Sequence, residues 1–324
     1  MNVTSTAIYG SISKELAQVE ERLKQTASVS FSSLSRYLDH ILDRGGKRVR
    51  PALTLLASKF YPASDPERPI FMATAVEMLH LATLIHDDTV DNAPVRRGRP
   101  TLSSLFGQRT AVLVGDYIFA KSATFVCDTK DIRVVRIFAE TIMHLSSGEL
   151  RESCDAFDWR QTREHYFQRI FEKTASLFQT AAETGAILSG APEEAVQRLR
   201  AFGYNIGMAF QVIDDILDFQ GSEAEVGKPV GSDLLQGTVT LPLILLLEKG
   251  TEDGELDGLL NGSHDPECLQ RLAKRIQGSS LIQESYVLAK SFVEKAHQEL
   301  DQLPHNPAKE ALLHLSNYVL ERRK

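Results

Sequence analysis

The sequence predicts an all-α protein: one large helical bundle over residues 1–324, its long helices surrounding a deep apolar cavity. Three observations predict it. Apolar residues recur at helical spacing along nearly the whole chain. No segment offers the β-branched, period-two alternation of a sheet strand. Breaks fall at 92–100, 220–237 and 250–264, each rich in glycine, proline or small polar residues.

Taken in order, helices are expected over 8–26, 29–42 and 51–60, where Pro51 suits a first turn because its missing N–H has no intrahelical partner there. Ile70 to Ile85 is almost wholly apolar apart from Glu77 and His80, the composition of a helix buried on most sides. Helices follow at 109–127, 131–154, 162–189 and 192–219. Weaker patterns continue at 240–249, 265–277, 280–302 and 306–321; Pro242 opens the first of these, with Thr240 or Leu241 before it. No repeat of 20–50 residues is present.

The chain's 324 residues suffice to bury a substantial core. A formal charge of -7 argues against general nucleic-acid binding, which favours basic domains. Cys127, Cys154 and Cys268 are widely separated with no CxxC pair, so they read as reduced thiols in a cytoplasmic protein rather than a zinc site or disulfide framework. Residues 1–16 lack the basic start and apolar core of a secretory signal. No apolar run approaches the roughly 18 residues that indicate a membrane span. The expectation is a soluble cytoplasmic protein with no transmembrane anchor.

Function is carried by a duplicated acidic pentapeptide, Asp87-Asp88-Thr89-Val90-Asp91 and Asp214-Asp215-Ile216-Leu217-Asp218. Carboxylates at i, i+1 and i+4 of a helix reach one region of space and repel one another unless a cation intervenes. Hard oxygen ligands suit magnesium, which takes one or two carboxylates and completes its shell with water and phosphate oxygens. Both copies close an apolar helix, the end at which the macrodipole disfavours negative charge. A local conflict of that kind marks functional sites; a single copy would read equally well as solvated helix-end acids.

The basic counterpart lies in Gly45-Gly46-Lys47-Arg48-Val49-Arg50-Pro51, a turn with three cations before a helix, and in Arg96-Arg97-Gly98-Arg99-Pro100 just after the first acidic motif. Helix starts attract anions and arginine can grip phosphate oxygens bidentately. Alone, either cluster is more often a solvated charge run; beside a carboxylate trio it is what a diphosphate requires. Lys173-Thr174 sits mid-helix, Lys228 in a glycine-rich break, Gln211 three residues before Asp214 and His80 seven before Asp87. Singly these are weak: a mid-helix lysine usually extends to water, and a lone histidine on an apolar helix is usually a hydrogen-bonded core residue. Arg322-Arg323-Lys324 reads by default as a frayed tail.

Together these blocks closely resemble the trans-isoprenyl diphosphate synthases, the polyprenyl synthetase family. The likeness spans nearly the whole chain: GGKRVRP at 45–51, EMLHLATLIHDDTVDNAPVRRGRPT at 77–101, GDYIFAKS at 115–122, EKTASLF at 172–178, FQVIDDILDF at 210–219 and GKPVGSDLLQGTVTLP at 227–242. Their order and spacing are far more specific than any one block. The resemblance implies an isoprenoid-synthase type of bundle and a prenyltransferase that condenses an allylic diphosphate with isopentenyl diphosphate.

It further implies a homoallylic site in which Lys47, Arg50, His80 and Arg97 bind isopentenyl diphosphate, aided by Arg322 and Arg323. The allylic diphosphate would be held by three magnesium ions on Asp87, Asp91 and Asp214, with Asp88, Asp215 and Asp218 completing the acidic clusters. Arg96, Lys173, Thr174, Gln211 and Lys228 would contact that diphosphate. One departure is Thr238, where many relatives carry lysine or asparagine; a modest effect on affinity is expected. The resemblance implies a homodimer, for which the apolar helix at 109–127 offers an interface, and a heteromeric partner in some relatives whose second subunit lacks the aspartates.

The expected chemistry breaks the allylic carbon–oxygen bond, with magnesium and the cations Arg96, Lys173 and Lys228 neutralising the leaving diphosphate. The double bond of isopentenyl diphosphate then attacks. No side chain is placed as a base, and the resemblance makes the departing diphosphate the proton acceptor. Thr174 and Gln211 would position diphosphate and solvent.

Product length follows from the helix before Asp87. Ala82 and Thr83 are small where short-chain relatives commonly carry an aromatic residue, which leaves a tunnel open toward Ile70. At about 1.5 Å per residue the stretch from Ile70 to His86 spans about 25 Å, room for roughly six to ten isoprene units in all. Phe119 or Phe125 would floor the tunnel, though core packing is the commoner role for either. A shorter farnesyl or geranylgeranyl product is the alternative.

Three other readings fit less well. A class I terpene cyclase shares a helical cavity and one aspartate motif but needs neither the second motif nor the GGKxxR block. His86-Asp87 matches part of an HD-type phosphohydrolase without its further histidines. Glu77-x-x-His80 is half of a di-iron signature with no second copy in this chain.

Overall fold

The structure, a computed structural model, describes residues 7–42, 46–96, 98–220, 230–250, 254–260 and 265–322. It is all-helical but for one two-residue hairpin among the described residues. Contacts gather the chain into two compact units, the first comprising Met1–Ala139, Thr180–Leu199 and Leu303–Leu312, the second Glu140–Gln179, Arg200–Gln302 and Leu313–Lys324.

In the first unit a 3-10 turn at Gly10–Ile12 leads into α1 (Ser13–Thr26), followed by α2 (Ser32–Leu42), α3 (Val49–Ala57) and α4 (Glu67–Val90). The hairpin joins β1 (Val95–Arg96) to β2 (Arg99–Pro100), with Val95 opposite Pro100 and Arg96 opposite Arg99. Then come α5 (Leu102–Phe106) and α6 (Gln108–Asp128). The core is the face shared by α4 with α1, α3 and α6. Leu53, Leu56, Met72, Ala73, Val76 and Met78 are sealed within it. Apolar side chains cover α4 on nearly every side, so its stability comes from packing rather than from one amphipathic stripe.

Two helices, α4 and α6, are long and apolar enough to cross a membrane, which corrects the expectation that no run approaches that length. For α4 the core supplies the reason, since 72% of its apolar window is buried. The corresponding window of α6 is only 33% buried. It leaves Val112 and Leu113 exposed on one face.

Helix α7 (Ile132–Cys154) begins in the first unit and ends in the second. The helix expected over 162–189 is interrupted: α8 (Arg163–Ile170) passes through a π-turn at Phe171–Ala175 into α9 (Ser176–Leu188). After α10 (Glu193–Gln220), two stretches read from sequence as breaks contain short helices, α11 (Ser232–Leu235) and α13 (Gly254–Leu260). Between these lies α12 (Leu241–Lys249), with Thr240 in extended conformation before it and proline in its first turn, as expected. The remaining helices are α14 (Pro266–Gln277), α15 (Leu281–Asp301) and α16 (Pro307–Leu320). The second unit is cored by Tyr166, Phe178, Phe202 and Phe219, all fully buried.

Candidate active site

In the first unit the acidic motif closes α4, and the backbone N–H of Asp91, just past the helix, donates to the carbonyl of Asp87. The three carboxylates differ in exposure. Asp87 is half-buried, Asp88 is buried at 4% exposure, and Asp91 is exposed. The hairpin doubles the chain back, so that Arg96 Nε on β1 donates to Asp88 Oδ1 at 2.6 Å. Arg96, expected on a diphosphate, is thus engaged with the middle aspartate while a third of its side chain stays in solvent.

Lys47 is exposed and Arg50 half-buried in the first turn of α3. Arg48 between them, counted with them as one of three cations in the turn, faces inward onto carboxylates. His80 is half-buried on α4, one turn after Glu77, and its carbonyl accepts from the Thr83 hydroxyl at 2.9 Å. Ala82 is sealed in the unit at 1% exposure. His86 Nε2 lies 3.5 Å from Asp116 Oδ1 on α6. Phe125 is buried and stacked on Phe71, a packing role; Phe119 is half-buried. Arg97 lies outside the described residues, as do Lys228 and Arg323.

In the second unit the acidic motif ends α10 in the same exposure pattern at its first two positions. Asp214 is half-buried, and its Oδ1 lies 2.9 Å from Arg322 Nη1, whose guanidinium stacks over Phe210 at 4.0 Å. Asp215 is buried at 3% exposure and, among the described residues, has no cation paired at close range; Tyr166 Oη donates to its Oδ2 at 2.6 Å and Gln211 Nε2 to its Oδ1 at 2.9 Å. Burial pushes its carboxyl up to about 7, aided by the neighbouring Asp214 charge and opposed by the two hydrogen bonds and by Arg169. Burial likewise drives the Tyr166 hydroxyl well above its ordinary value. Asp218 Oδ2 accepts the backbone N–H of Asp233 at 3.2 Å, anchoring the start of α11.

The π-turn carries Lys173 and Thr174. Its neighbours approach closely at two glycines: a Cβ on Gly148 of α7 would lie 2.6 Å from the Lys173 backbone nitrogen, and one on Gly207 of α10 would lie 2.6 Å from Ala175 Cα. Only glycine fits either place. Wedged there, Thr174 Oγ1 donates to Gln211 Oε1 at 2.7 Å, so one hydrogen-bonded chain runs Thr174–Gln211–Asp215–Tyr166. Lys173 Nζ is held by Glu152 Oε1 at 2.5 Å and Glu149 Oε2 at 3.0 Å, both on α7. Wide turns of this kind recur at functional sites.

Sequence reasoning passed over Glu149, Glu152 and Tyr166. The SSGEL run at 146–150, with two small residues and a glycine before a carboxylate, was the available signal for the first. Nothing local marks Tyr166.

Among the described residues no three metal-ligating side chains are gathered tightly enough to hold an ion by themselves. The donor set nevertheless fits magnesium, which requires few protein carboxylates when phosphate oxygens complete its shell. Asp214 already accepts a cation, the Arg322 guanidinium, at ion-pair distance.

Comparison with known proteins places these features in context. The Polyprenyl synthetase family profile matches residues 31–277. The chain is 38% identical to "Heptaprenyl diphosphate synthase component 2" of Geobacillus stearothermophilus, over 98% of this chain and 98% of that protein. It is 36% identical to "Nonaprenyl diphosphate synthase" of Mycobacterium tuberculosis, over 95% of this chain and 92% of that one. The solved structure of "Heptaprenyl Diphosphate Synthase from Staphylococcus aureus" superposes with a TM-score of 0.91 at 36% identity, covering 96% of this chain and 98% of the other.

Proposed function

The chain belongs to the polyprenyl synthetase family and is a prenyltransferase; from that premise we propose that all of residues 1–324 serve one catalytic function, repeated condensation of an allylic diphosphate with isopentenyl diphosphate to a product of about C30–C50, a range taken from the helix ruler. The reading is carried by the two acidic motifs, each closing a long helix with an accessible first aspartate beside a buried, hydrogen-bonded second one. The heptaprenyl and nonaprenyl diphosphate synthases among the relatives agree with it in class.

In this reading Asp87, Asp91 and Asp214 present carboxylates to magnesium, while Asp88, Asp215 and Asp218 hold the motifs in place. Bound magnesium would neutralise charge developing on the leaving diphosphate. Lys173 exchanges Glu149 and Glu152 for the diphosphate, and Thr174 and Gln211 orient it through their shared hydrogen bond. Lys228 and Arg96 add positive charge. As the allylic carbon–oxygen bond breaks, the electron pair leaves with diphosphate; the isopentenyl double bond supplies the new carbon–carbon bond. The proton lost from the isopentenyl unit passes to the departing diphosphate. Lys47, Arg50, His80 and Arg97 hold the isopentenyl diphosphate, and the small side chains of Ala82 and Thr83 admit the growing chain.

We further propose a homodimer through the exposed apolar face of α6, where Val112 and Leu113 lie open, and a cytoplasmic site of action, which suits three free cysteines. One relative is named as a component, which makes a second subunit a direct question for this chain. The test is the purified chain alone with farnesyl diphosphate, labelled isopentenyl diphosphate and magnesium. Incorporation into an extractable C30–C50 product is expected. No incorporation without an added partner would assign a heteromer; none under any condition would refute the function.

A further inference from the structure

Arg48 stands between Lys47 and Arg50, yet only 7% of it is exposed. Its Nε and Nη2 bind both oxygens of Glu20 on α1, at 2.5 and 3.1 Å, and its Nη1 donates to Glu77 Oε1 on α4 at 2.7 Å. Its backbone takes a left-handed conformation, φ 48° and ψ 36°, at the entry to α3. An arginine has no glycine-like ease there, so the contacts hold a conformation the chain disfavours. The Tyr9 hydroxyl donates to the Lys47 carbonyl at 2.5 Å, a second tie on the same turn.

Glu20 is partly exposed, and the buried pair of Arg48 with Glu77 is of a kind that seldom stabilises more than apolar side chains of equal volume would. Its evident product is geometry. The fork clamps the turn at 46–50 to α4 at Glu77, one helical turn before His80. We propose that Arg48 is a positioning residue for the isopentenyl diphosphate site: it contacts no substrate, and by clamping onto Glu20 and Glu77 it fixes Lys47 and Arg50 relative to His80. This rests on the function proposed above.

The test is calorimetric titration of isopentenyl diphosphate, without magnesium or allylic substrate, into wild type, Arg48→Lys and the double variant Arg48→Met with Glu77→Met. Turnover with both Michaelis constants is measured in parallel. Lysine keeps the charge but loses the fork, and the paired methionines restore apolar packing without it. Both are expected to weaken isopentenyl diphosphate binding about tenfold and raise its KM alike, with the KM for farnesyl diphosphate within about twofold of wild type. Chemical denaturation checks that the double variant is as stable as wild type. Wild-type affinity in the double variant, or an equal rise in both Michaelis constants, overturns the proposal. A double variant less stable than wild type shifts the decision to Arg48→Lys, read by the same criteria. A wild type that binds isopentenyl diphosphate yet condenses none overturns the proposed function alone; one that binds none overturns both.

Discussion

The two acidic motifs spell nearly the same pentapeptide and place their second aspartate in nearly the same burial, yet they satisfy it in opposite ways. Asp88 is paired with a permanent cation, Arg96, brought back by a hairpin eight residues on. Asp215 is met by two neutral donors, Tyr166 from 49 residues away and Gln211 one turn earlier on the same helix, and burial lifts its carboxyl to about 7. The first is a local, ionic solution; the second is a network that also contains Thr174. The lesson is that a motif fixes which groups are present, while its flanks fix their charge state. The first motif meets its buried carboxylate with a guanidinium from its own loop. The second adjusts its charge through a hydrogen-bonded chain reaching the lysine-bearing turn.

Removing what the two motifs share has the largest effect. Replacing Asp87 and Asp214 together by asparagine is expected to lower condensation about a thousandfold or more, since loss of one preorganised electrostatic contact costs about 10²–10³. Assay of labelled isopentenyl diphosphate incorporation reads it directly. Turnover near wild type would sink the metal-ligand assignment of both first aspartates.

Removing the middle aspartates one at a time sharpens the contrast. Asp88→Asn leaves Arg96 facing a neutral amide and is expected to cost about 1–2 kcal/mol, the partial exposure of Arg96 moderating the loss. Asp215→Asn keeps an amide oxygen to accept from Tyr166, and Gln211 can turn its own amide; a change below about 1 kcal/mol is expected near pH 4, where the folded carboxyl is protonated. Urea denaturation of metal-free protein measures both. Equal losses would show that the two sites are alike after all.

These contrasts also explain what the sequence made legible. The all-helical class, the two helix ends and the reaction class were readable because apolar periodicity and the order of short blocks are local properties of the chain. The π-turn was not: Phe171–Ala175 has ordinary helical composition, and its widening comes with the close approach of Gly148 and Gly207, contributed by other helices. Arg48 reads like its basic neighbours until Glu20 and Glu77 are brought to it. Tyr166 is an unremarked aromatic until Asp215 arrives from 49 residues away. The small helix α13 was hidden in a glycine-rich stretch read as a break.

The raised carboxyl of Asp215 yields a pH signature of its own. With the folded value raised to about 7 against an ordinary 3.8, both states are protonated at low pH and no cost is felt. As pH rises from about 4 to about 7, the unfolded chain releases its proton first, so unfolding free energy falls; above the folded value the cost is complete and flat. Each unit of difference is worth about 1.4 kcal/mol. Asp215→Asn should flatten that slope. Denaturation of metal-free protein at stepped pH decides: a slope surviving in Asp215→Asn would assign it to other groups.

The smallest effect concerns the partner that distinguishes the two first aspartates. Asp214 faces Arg322, which the family resemblance would place at the isopentenyl diphosphate instead. If the guanidinium competes with metal, Arg322→Gln should lower the half-saturating magnesium concentration about two- to fivefold, the worth of a partly exposed ion pair of about 0.5–1 kcal/mol. The KM for isopentenyl diphosphate should then stay unchanged. If the arginine serves the substrate, the pattern inverts: magnesium dependence holds and that KM rises. The stacking of Arg322 on Phe210, four residues before Asp214 on α10, favours the first outcome, because it holds the guanidinium over the turn that presents the aspartate.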